Sequence, residues 1–301
     1  MIVQKRQRSD VLIDIGIYTL FFIIALLCAY PFYYIFINTI SSNTLSEKGK
    51  IIFLPSEMHL SNYVSAFKIP GLLEAAYVSI ARTVIGTTLT VAASGFLGYM
   101  FSRKTLWHRR FWYRLVIATM YFNAGIIPWY LTMRNLGLVN NFLGYILPAI
   151  VSPFNVILAK TYVESTPIEL QEAAEIDGAG TLKIFYKVVM PLMKPILATI
   201  AIFSAVGQWN SFQDTLLLMT DSGLYTLQYI LYQYINQASS LANLITNTTD
   251  TNQISQLLAN TQTSTSVRMT VTIIVITPII LVYPFFQRFF TKGIMIGAIK
   301  G

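Results

Sequence analysis

Hydrophobic residues are gathered in six long stretches, and the charged residues lie in the segments between them. Each stretch has 19 or more residues without Asp, Glu, Lys or Arg. About 20 helical residues cross a hydrocarbon core of about 30 Å. Inside lipid the backbone must satisfy its own hydrogen bonds, so such stretches are expected to be helical. The pattern predicts six membrane-spanning helices, at approximately 12–37, 78–101, 112–133, 142–162, 193–217 and 268–290.

Composition agrees with this pattern and excludes an ordinary water-soluble domain. Hydrophobic residues make up 54% of the 301-residue chain, and charged residues make up 11%. Soluble domains carry about 25% charged residues. The sequence therefore predicts an all-α membrane protein that forms a single transmembrane domain over residues 1–301.

The basic residues predict how the spans are oriented. With the N-terminus in the cytoplasm, 15 of the 21 Lys and Arg residues fall on the cytoplasmic side. Because cytoplasmic loops carry the excess of Lys and Arg, both termini and the loop 163–191 are expected to be cytoplasmic. The polar loop 218–267 is expected outside. The net charge of +8 thus reflects membrane topology, and nucleic-acid binding is disfavoured. Six basic residues are assigned to the outer side: Lys48, Lys50, Lys68, Arg82, Arg134 and Arg268.

The loop 163–191 has a helix–turn–helix pattern. Thr166 and Glu169 have the spacing of a capping box at the start of a first helix. Gly178 can end that helix, because glycine readily adopts positive φ. A second helix is predicted from Thr181, with Leu182, Phe185 and Val189 along one side. Pro191 is predicted to stop or kink it where the chain re-enters the membrane.

The same loop carries a spaced motif. The chain reads Glu172-Ala173-Ala174, three residues, Gly178, nine residues, then Val188-Val189-Met190-Pro191. This motif resembles the EAA coupling loop of ABC importer permeases, and every fixed position of that pattern is met. The pair Tyr283-Pro284 and the ending Lys292–Gly301 also look like the carbohydrate importers of the maltose-transporter type. Within them, the chain is most similar to the branch that handles oligosaccharides and complex glycans.

The resemblance covers essentially the whole chain and implies a type I ABC importer permease fold in a bacterial cell membrane. It implies a second homologous permease, a dimer of ATPase subunits and an extracytoplasmic solute-binding protein as partners, together with a carbohydrate substrate and membrane lipid. Acidic side chains argue against the loop lying on anionic lipid, so a docking role on the ATPase is expected. The residues implied for ATPase coupling are Glu169, Glu172, Ala173, Ala174, Asp177, Gly178 and Pro191.

The sequence does not predict an enzyme. It lacks the Gly-x4-Gly-Lys-Ser/Thr loop that cradles nucleotide phosphates, so no cofactor is expected in this chain. ATP and Mg²⁺ are expected on the partner ATPase. A metal site is also disfavoured, because Cys28, His59 and His108 are far apart and have no ligand companions at suitable spacing.

Polar and aromatic residues within the predicted spans mark a possible sugar path, because polarity at membrane depth usually faces a bundle interior. Hydrogen bonding between helices is the alternative explanation for the same residues. The candidates are Asn123, Trp129, Gln208, Trp209, Asn210, Gln213 and Asp214, with Tyr121, Tyr130 and Asn155 as further polar or aromatic groups.

Two other functions remain open at this point. An ion-coupled transporter would show charges buried in mid-span and repeated halves, and neither is evident. Within the importer class, the solute could instead be a polyol, glycerol phosphate or a peptide.

Overall fold

The computed structural model describes residues 8–236 and 264–298, with side chains described for 11–236 and 265–284. The described residues form helices and contain no strand. The low-complexity part of the predicted outer loop, 237–263, lies outside the described residues.

Fifteen α-helices follow one another along the described chain. A 3₁₀ turn covers Leu147–Ala149, another covers Ser222–Leu224, and a π-helical segment covers Phe185–Val189. The helices are α1 Arg8–Thr39, α2 Asn43–Glu47, α3 Ser61–Ala66, α4 Leu72–Ser102, α5 Arg109–Tyr121, α6 Ile126–Asn135, α7 Leu143–Ile146, α8 Pro153–Ser165, α9 Glu169–Ile176, α10 Thr181–Ile184, α11 Met190–Leu192, α12 Lys194–Asn210, α13 Gln213–Leu218, α14 at 227–236 and α15 Ser264–Ala298.

Three of these helical stretches are long and apolar enough to cross a membrane: Val11–Thr39, Leu72–Ser102 and Thr265–Pro284. Two bent pairs pass the same test when each is counted as one span. They are Leu143–Ala149 with Pro153–Ser165, bent by 46°, and Thr181–Leu192 with Lys194–Asn210, bent by 81°. The described residues thus hold up to five such spans, and six remain a prediction.

The predicted span 112–133 is divided in the structure and is absent from both the long helices and the bent pairs. It is covered by α5, with 13 residues, and α6, with 10 residues. Between them Phe122 is extended and Gly125 has φ of +87°. The Asn123 side chain accepts a hydrogen bond from the Gly125 N–H at 2.9 Å, so a local turn replaces the helical hydrogen bonds.

The chain divides into two compact units. One comprises the described residues up to Ile69 and those between Tyr234 and Ile274. In it, the end of α1 is held by Asn38, which donates to the carbonyl of Ile51 at 3.3 Å and accepts from the Ser46 hydroxyl at 2.6 Å. These buried hydrogen bonds fix the loop that follows α1 against that helix.

The second unit comprises Pro70–Gln233 and the residues from Val275 onward. Its central helix is α4, which packs against α8 and α12. Gly98 permits the close crossing with α8, because a Cβ there would lie 2.5 Å from Cβ of Ala159. Gly86 does the same for Gln208 of α12, whose Nε2 would lie 2.7 Å from an added Cβ. Glycine at both positions therefore lets neighbouring side chains and backbone approach α4 directly.

Candidate functional site

A cavity of about 540 Å³ lies inside the second unit, beside α4 and α12. Its wall combines aromatic rings, amides, hydroxyls and one oppositely charged pair. The side chains that carry this chemistry are Arg82, Thr90, Trp129, Tyr145, Ser152, Phe154, Asn155, Phe203, Ser204, Gln208, Ser211 and Asp214.

Arg82 of α4 is the buried cation of this cavity, with only 2% of its surface exposed. Its Nε and Nη2 donate to Oε1 of Gln208 at 3.1 and 3.0 Å. Its Nη1 donates to Oδ1 of Asp214 at 3.1 Å, and Nη2 pairs with Oδ2. The guanidinium also lies 4.4 Å from the ring centroid of Tyr145. A buried charge needs such compensation, and Arg82 is fully engaged by it.

Asp214 is held from its own side as well. Its Oδ1 accepts hydrogen bonds from the Ser211 hydroxyl at 3.0 Å and from the Thr215 N–H at 2.9 Å. The break between α12 and α13 brings Ser211 and Thr215 around the carboxylate. The carboxylate is therefore positioned before any ligand arrives, and its charge is balanced by Arg82.

Asn155 of α8 is the second amide side chain in the wall, besides Gln208. It is 6% exposed and lines the cavity. No side-chain hydrogen bond joins it to any other residue of the part of the chain that the structure describes. Because buried amides normally have partners, Asn155 is available to a ligand in the cavity.

A second cavity of about 380 Å³ shares part of this wall. Trp129, Ser211 and Asp214 line both cavities, while Asn123 and Gln213 line only the second one. The structure thus brings five of the seven predicted path residues to one or both cavities: Asn123, Trp129, Gln208, Gln213 and Asp214.

The other two predicted path residues lie elsewhere. Trp209 is 8% exposed, and its Nε1–H donates to the carbonyl of Val275 in α15 at 3.0 Å. Its ring faces a largely apolar groove that Pro278 and Val282 also line. Asn210 is exposed and lines neither cavity. Neighbouring helical residues point about 100° apart, so Gln208 faces the cavity and Trp209 faces away. Trp209 therefore does not line either cavity.

Arg82 and Tyr145 are the site residues that the sequence analysis missed. Arg82 was assigned to the outer side, although it falls inside the predicted span 78–101. An ionisable residue within a span requires a partner, and Asp214 is the acid inside the predicted span 193–217. The presence of one base and one acid inside two predicted spans could therefore have indicated the Arg82–Asp214 pair. Tyr121 and Tyr130, which the sequence suggested as further path residues, line neither cavity.

The loop 163–191 forms a compact turn around Gly178, whose φ is +75°. Its N–H donates to the carbonyl of Glu175 at 3.0 Å, and the Ala179 N–H donates to Ala174 at 2.9 Å. Ala174 and Ala179 both pack on the buried core beside the loop. These two hydrogen bonds and the apolar contact form a Schellman motif, so Gly178 ends α9 as predicted.

Two local predictions for this loop are wrong. Thr166 does not cap α9, because its hydroxyl donates backward to the carbonyl of Val163 at 2.6 Å. Helix α9 begins at Glu169 without a side-chain cap. Leu182 is 59% exposed, whereas Phe185 and Val189 are buried. Within α10 the buried side chain is Ile184, which points about 200° away from Leu182.

The surface of α9 presents acidic and apolar groups together. Glu169, Glu172, Ala173 and Asp177 are all exposed. Ile176 is 86% exposed, which is unusual for an apolar side chain in a polar loop. Pro191 lies in the short helix before the 81° bend that leads into α12. The loop is therefore a protruding helical turn with an uncovered apolar tip.

Within the described residues, no three His, Cys, Asp or Glu side chains are grouped so as to hold a metal ion. The chemistry of the cavity is that of hydrogen bonding and ring stacking.

The known proteins that resemble this chain over its length include permease proteins of sugar transport systems. Permease protein YtcP of the Bacillus subtilis polygalacturonan/rhamnogalacturonan transport system is 32% identical over 96% of this chain and 99% of its own. The arabinooligosaccharides transport system permease protein AraQ of Halalkalibacterium halodurans is 30% identical over 99% of this chain and all of its own.

A chain of a solved transporter structure also resembles this protein. A chain in the crystal structure of a bacterial ABC transporter involved in the import of the acidic polysaccharide alginate has a TM-score of 0.81 and 31% identity. The match covers 96% of this chain and all of that one. Residues 90–296, about two thirds of the sequence, also match the family of binding-protein-dependent transport system inner membrane components. With this match and the full-length relatives in agreement, the chain belongs to that family of membrane transport permeases.

Proposed function

We propose that this permease moves an oligosaccharide from an extracytoplasmic solute-binding protein into the cytoplasm, by alternating access driven by a partner ATPase. The sugars named for the relatives support this proposal, since they are polygalacturonan and rhamnogalacturonan, arabinooligosaccharides and alginate. The observation that carries it in this chain is the cavity between α4, α8 and α12.

The wall of that cavity matches the two chemistries of a sugar. Trp129, Phe154 and Phe203 offer flat apolar surfaces that can stack on the C–H faces of a pyranose ring. Asn155 and Gln208 offer amides that can pair with its hydroxyl edges. A polyol would use the amides but leaves the rings without a flat partner.

The charge balance of the cavity argues against glycerol phosphate, because a buried phosphate dianion needs an unpaired cation. Arg82 is the cation among the described lining residues, and Asp214 already neutralises it. An entering phosphate would have to displace that carboxylate or remain unpaired at low dielectric, and both are costly. The hydroxyl groups of a sugar avoid this cost.

We further propose that the loop around α9 docks on the ATPase subunit, with both termini and this loop on the cytoplasmic side. Support comes from the uncovered apolar and acidic surface of α9 and from the predominance of Lys and Arg on that side of the predicted topology. ATP and Mg²⁺ are then bound by the partner ATPase, and a second homologous permease completes the translocation path.

Trp129→Ala is expected to lower sugar uptake by roughly tenfold, because an aromatic stacking surface of about 1.4 kcal/mol is lost from the cavity. Uptake of labelled oligosaccharide by proteoliposomes that hold the whole complex measures this. Trp209→Phe is the matched control, since its ring packs on α15 outside the cavity and loses only one hydrogen bond. Normal uptake in Trp129→Ala, or equal losses in both variants, would contradict the proposed path.

Gly178→Ala is expected to reduce ATP-driven uptake by roughly fivefold, because a Cβ in the left-handed region costs about 1 kcal/mol and disturbs the end of α9. Gly180→Ala is the control two residues away, with an ordinary φ of −69° and open space around it. Uptake and ATPase association by pull-down are measured for both variants. Equal uptake and equal ATPase association in the two variants would show that the turn at Gly178 has no part in coupling.

A further inference from the structure

The cytoplasmic end of α4 is tied to α9 by an ion pair. Arg103, directly after α4, places its Nη2 2.7 Å from Oε1 of Glu175. Glu175 lies in the last turn of α9, beside the Schellman turn at Gly178. Among the described residues, this ion pair is the one that links α9 to a long helix.

The same end of α4 also holds the segment that follows α9. Nη1 of Arg103 donates to the Tyr99 hydroxyl at 2.8 Å, and that hydroxyl donates to the carbonyl of Thr181 at 3.4 Å. The buried Tyr99 ring stacks on Phe185 with centroids 5.4 Å apart. One Arg–Tyr couple on α4 therefore contacts both α9, through Glu175, and the segment from α10 onward.

The surroundings of Arg103 favour its charged guanidinium. Burial lowers the pKa of Arg103, but hydrogen bonds and favourable charges from Tyr99 and Glu175 outweigh that effect, and the pKa is raised. The side chain of Arg103 is 13% exposed and that of Glu175 is 47% exposed. The pair is thus accessible enough to break and reform.

Helix α4 continues from this contact to the cavity without a proline or a break. Arg82 lies 21 positions before Arg103, a distance of about 31 Å at the helical rise of about 1.5 Å per residue. An unbroken helix moves largely as one body. Displacement of α9 at one end can therefore move Arg82, and with it the hydrogen bonds to Gln208 and Asp214, at the other.

We infer that Arg103 and Glu175 are positioning residues, which transmit motion of the ATPase-docked loop to α4 and so to the cavity. This inference rests on the proposed function, because it requires that α9 receives the ATPase motion. Neither residue contacts nucleotide or sugar. Loss of the pair is therefore expected to lower the number of sugars moved per ATP while leaving the complex assembled.

The test is a charge exchange in the reconstituted complex. Arg103→Glu and Glu175→Arg are each expected to lower the ratio of sugar uptake to ATP hydrolysis by roughly fivefold, since each loses the pair and adds repulsion. The double variant Arg103→Glu/Glu175→Arg is expected to recover at least half of the wild-type ratio. ATPase association should be unchanged in all three variants.

The pair Lys160–Glu164 provides a matched control. It has an N–O distance of 2.6 Å and comparable exposure, but both residues lie on α8. Glu164→Arg is expected to keep the wild-type ratio. Wild-type ratios in both single variants, or a double variant no better than the singles, would overturn the inference.

A second measurement separates this inference from the proposed function. Hydrogen exchange of the α9 amides in the purified permease reports the contact without any transport. Exchange should rise in each single variant and return toward wild type in the double variant, and a lack of such rescue would show that the contact does not hold α9. If the α9 amides show the rescue but the wild-type complex imports no sugar, the contact stands and the proposed function fails.

Discussion

Arg82→Met is expected to destabilise the permease by about 3–5 kcal/mol, because Asp214 then remains at the cavity wall as a charge without its partner. Gln208 also loses the donors that occupy its Oε1. The measurement is the thermal unfolding midpoint of the permease in detergent, together with the yield of monodisperse protein. Arg134→Met is the control, since Arg134 is exposed on α6 and should change stability by less than about 0.5 kcal/mol.

The double variant Arg82→Met/Asp214→Leu distinguishes a lost pair from a lost side chain. Replacing both members of a buried ion pair with apolar residues is often neutral. The double variant is therefore expected to recover most of the stability that Arg82→Met loses. A single variant as stable as the wild type would mean that the pair does not hold α4 to the break between α12 and α13.

Ile176→Asp is expected to abolish stable association with the ATPase subunit. Ile176 is the most exposed large apolar side chain of α9, and an apolar anchor at a protein interface is typically buried by the partner. Burying an unpaired carboxylate there costs more than about 3 kcal/mol, which exceeds a hundredfold in affinity. Pull-down of the ATPase by the tagged permease measures the loss.

Met58→Asp provides the comparison for this experiment. Met58 is 70% exposed and lies in the segment predicted to be outside, so the same substitution should leave ATPase association unchanged. Retention of the ATPase by Ile176→Asp would show that α9 does not dock through its apolar tip. The proposed orientation would fail if only Met58→Asp lost the ATPase.

The sequence predicted the loop around α9 better than it predicted the cavity. The turn at Gly178 was predictable, because positive φ after an amphipathic segment is a local requirement of the backbone. The sequence did not reveal that Thr166 leaves α9 uncapped. Its hydroxyl donates instead to the carbonyl of Val163 at the end of α8. The exposure of Leu182 was not predictable either, because the face of α10 that turns inward carries Ile184.

The cavity was predictable as a set of polar positions but not as a geometry. Gln208 and Trp209 are adjacent in the sequence, yet one pairs with Arg82 and the other with the backbone of α15. Which face of α12 turns toward α4 depends on close packing at Gly86 and on the contact with Val275. These contacts join residues 66 to 126 positions apart, so no local pattern contains them.

The sequence by itself determined that the chain is helical and membrane-spanning, and it located the helical turn at Gly178. Lipid requires long apolar helices with internal hydrogen bonds, and a turn with positive φ requires glycine, so both are written in local residue order. Only the tertiary structure decided that Arg82 pairs with Asp214, that Asn155 faces the cavity unpaired, and that Arg103 holds α9. Each of these depends on which helix faces meet, and that is set by packing between distant segments.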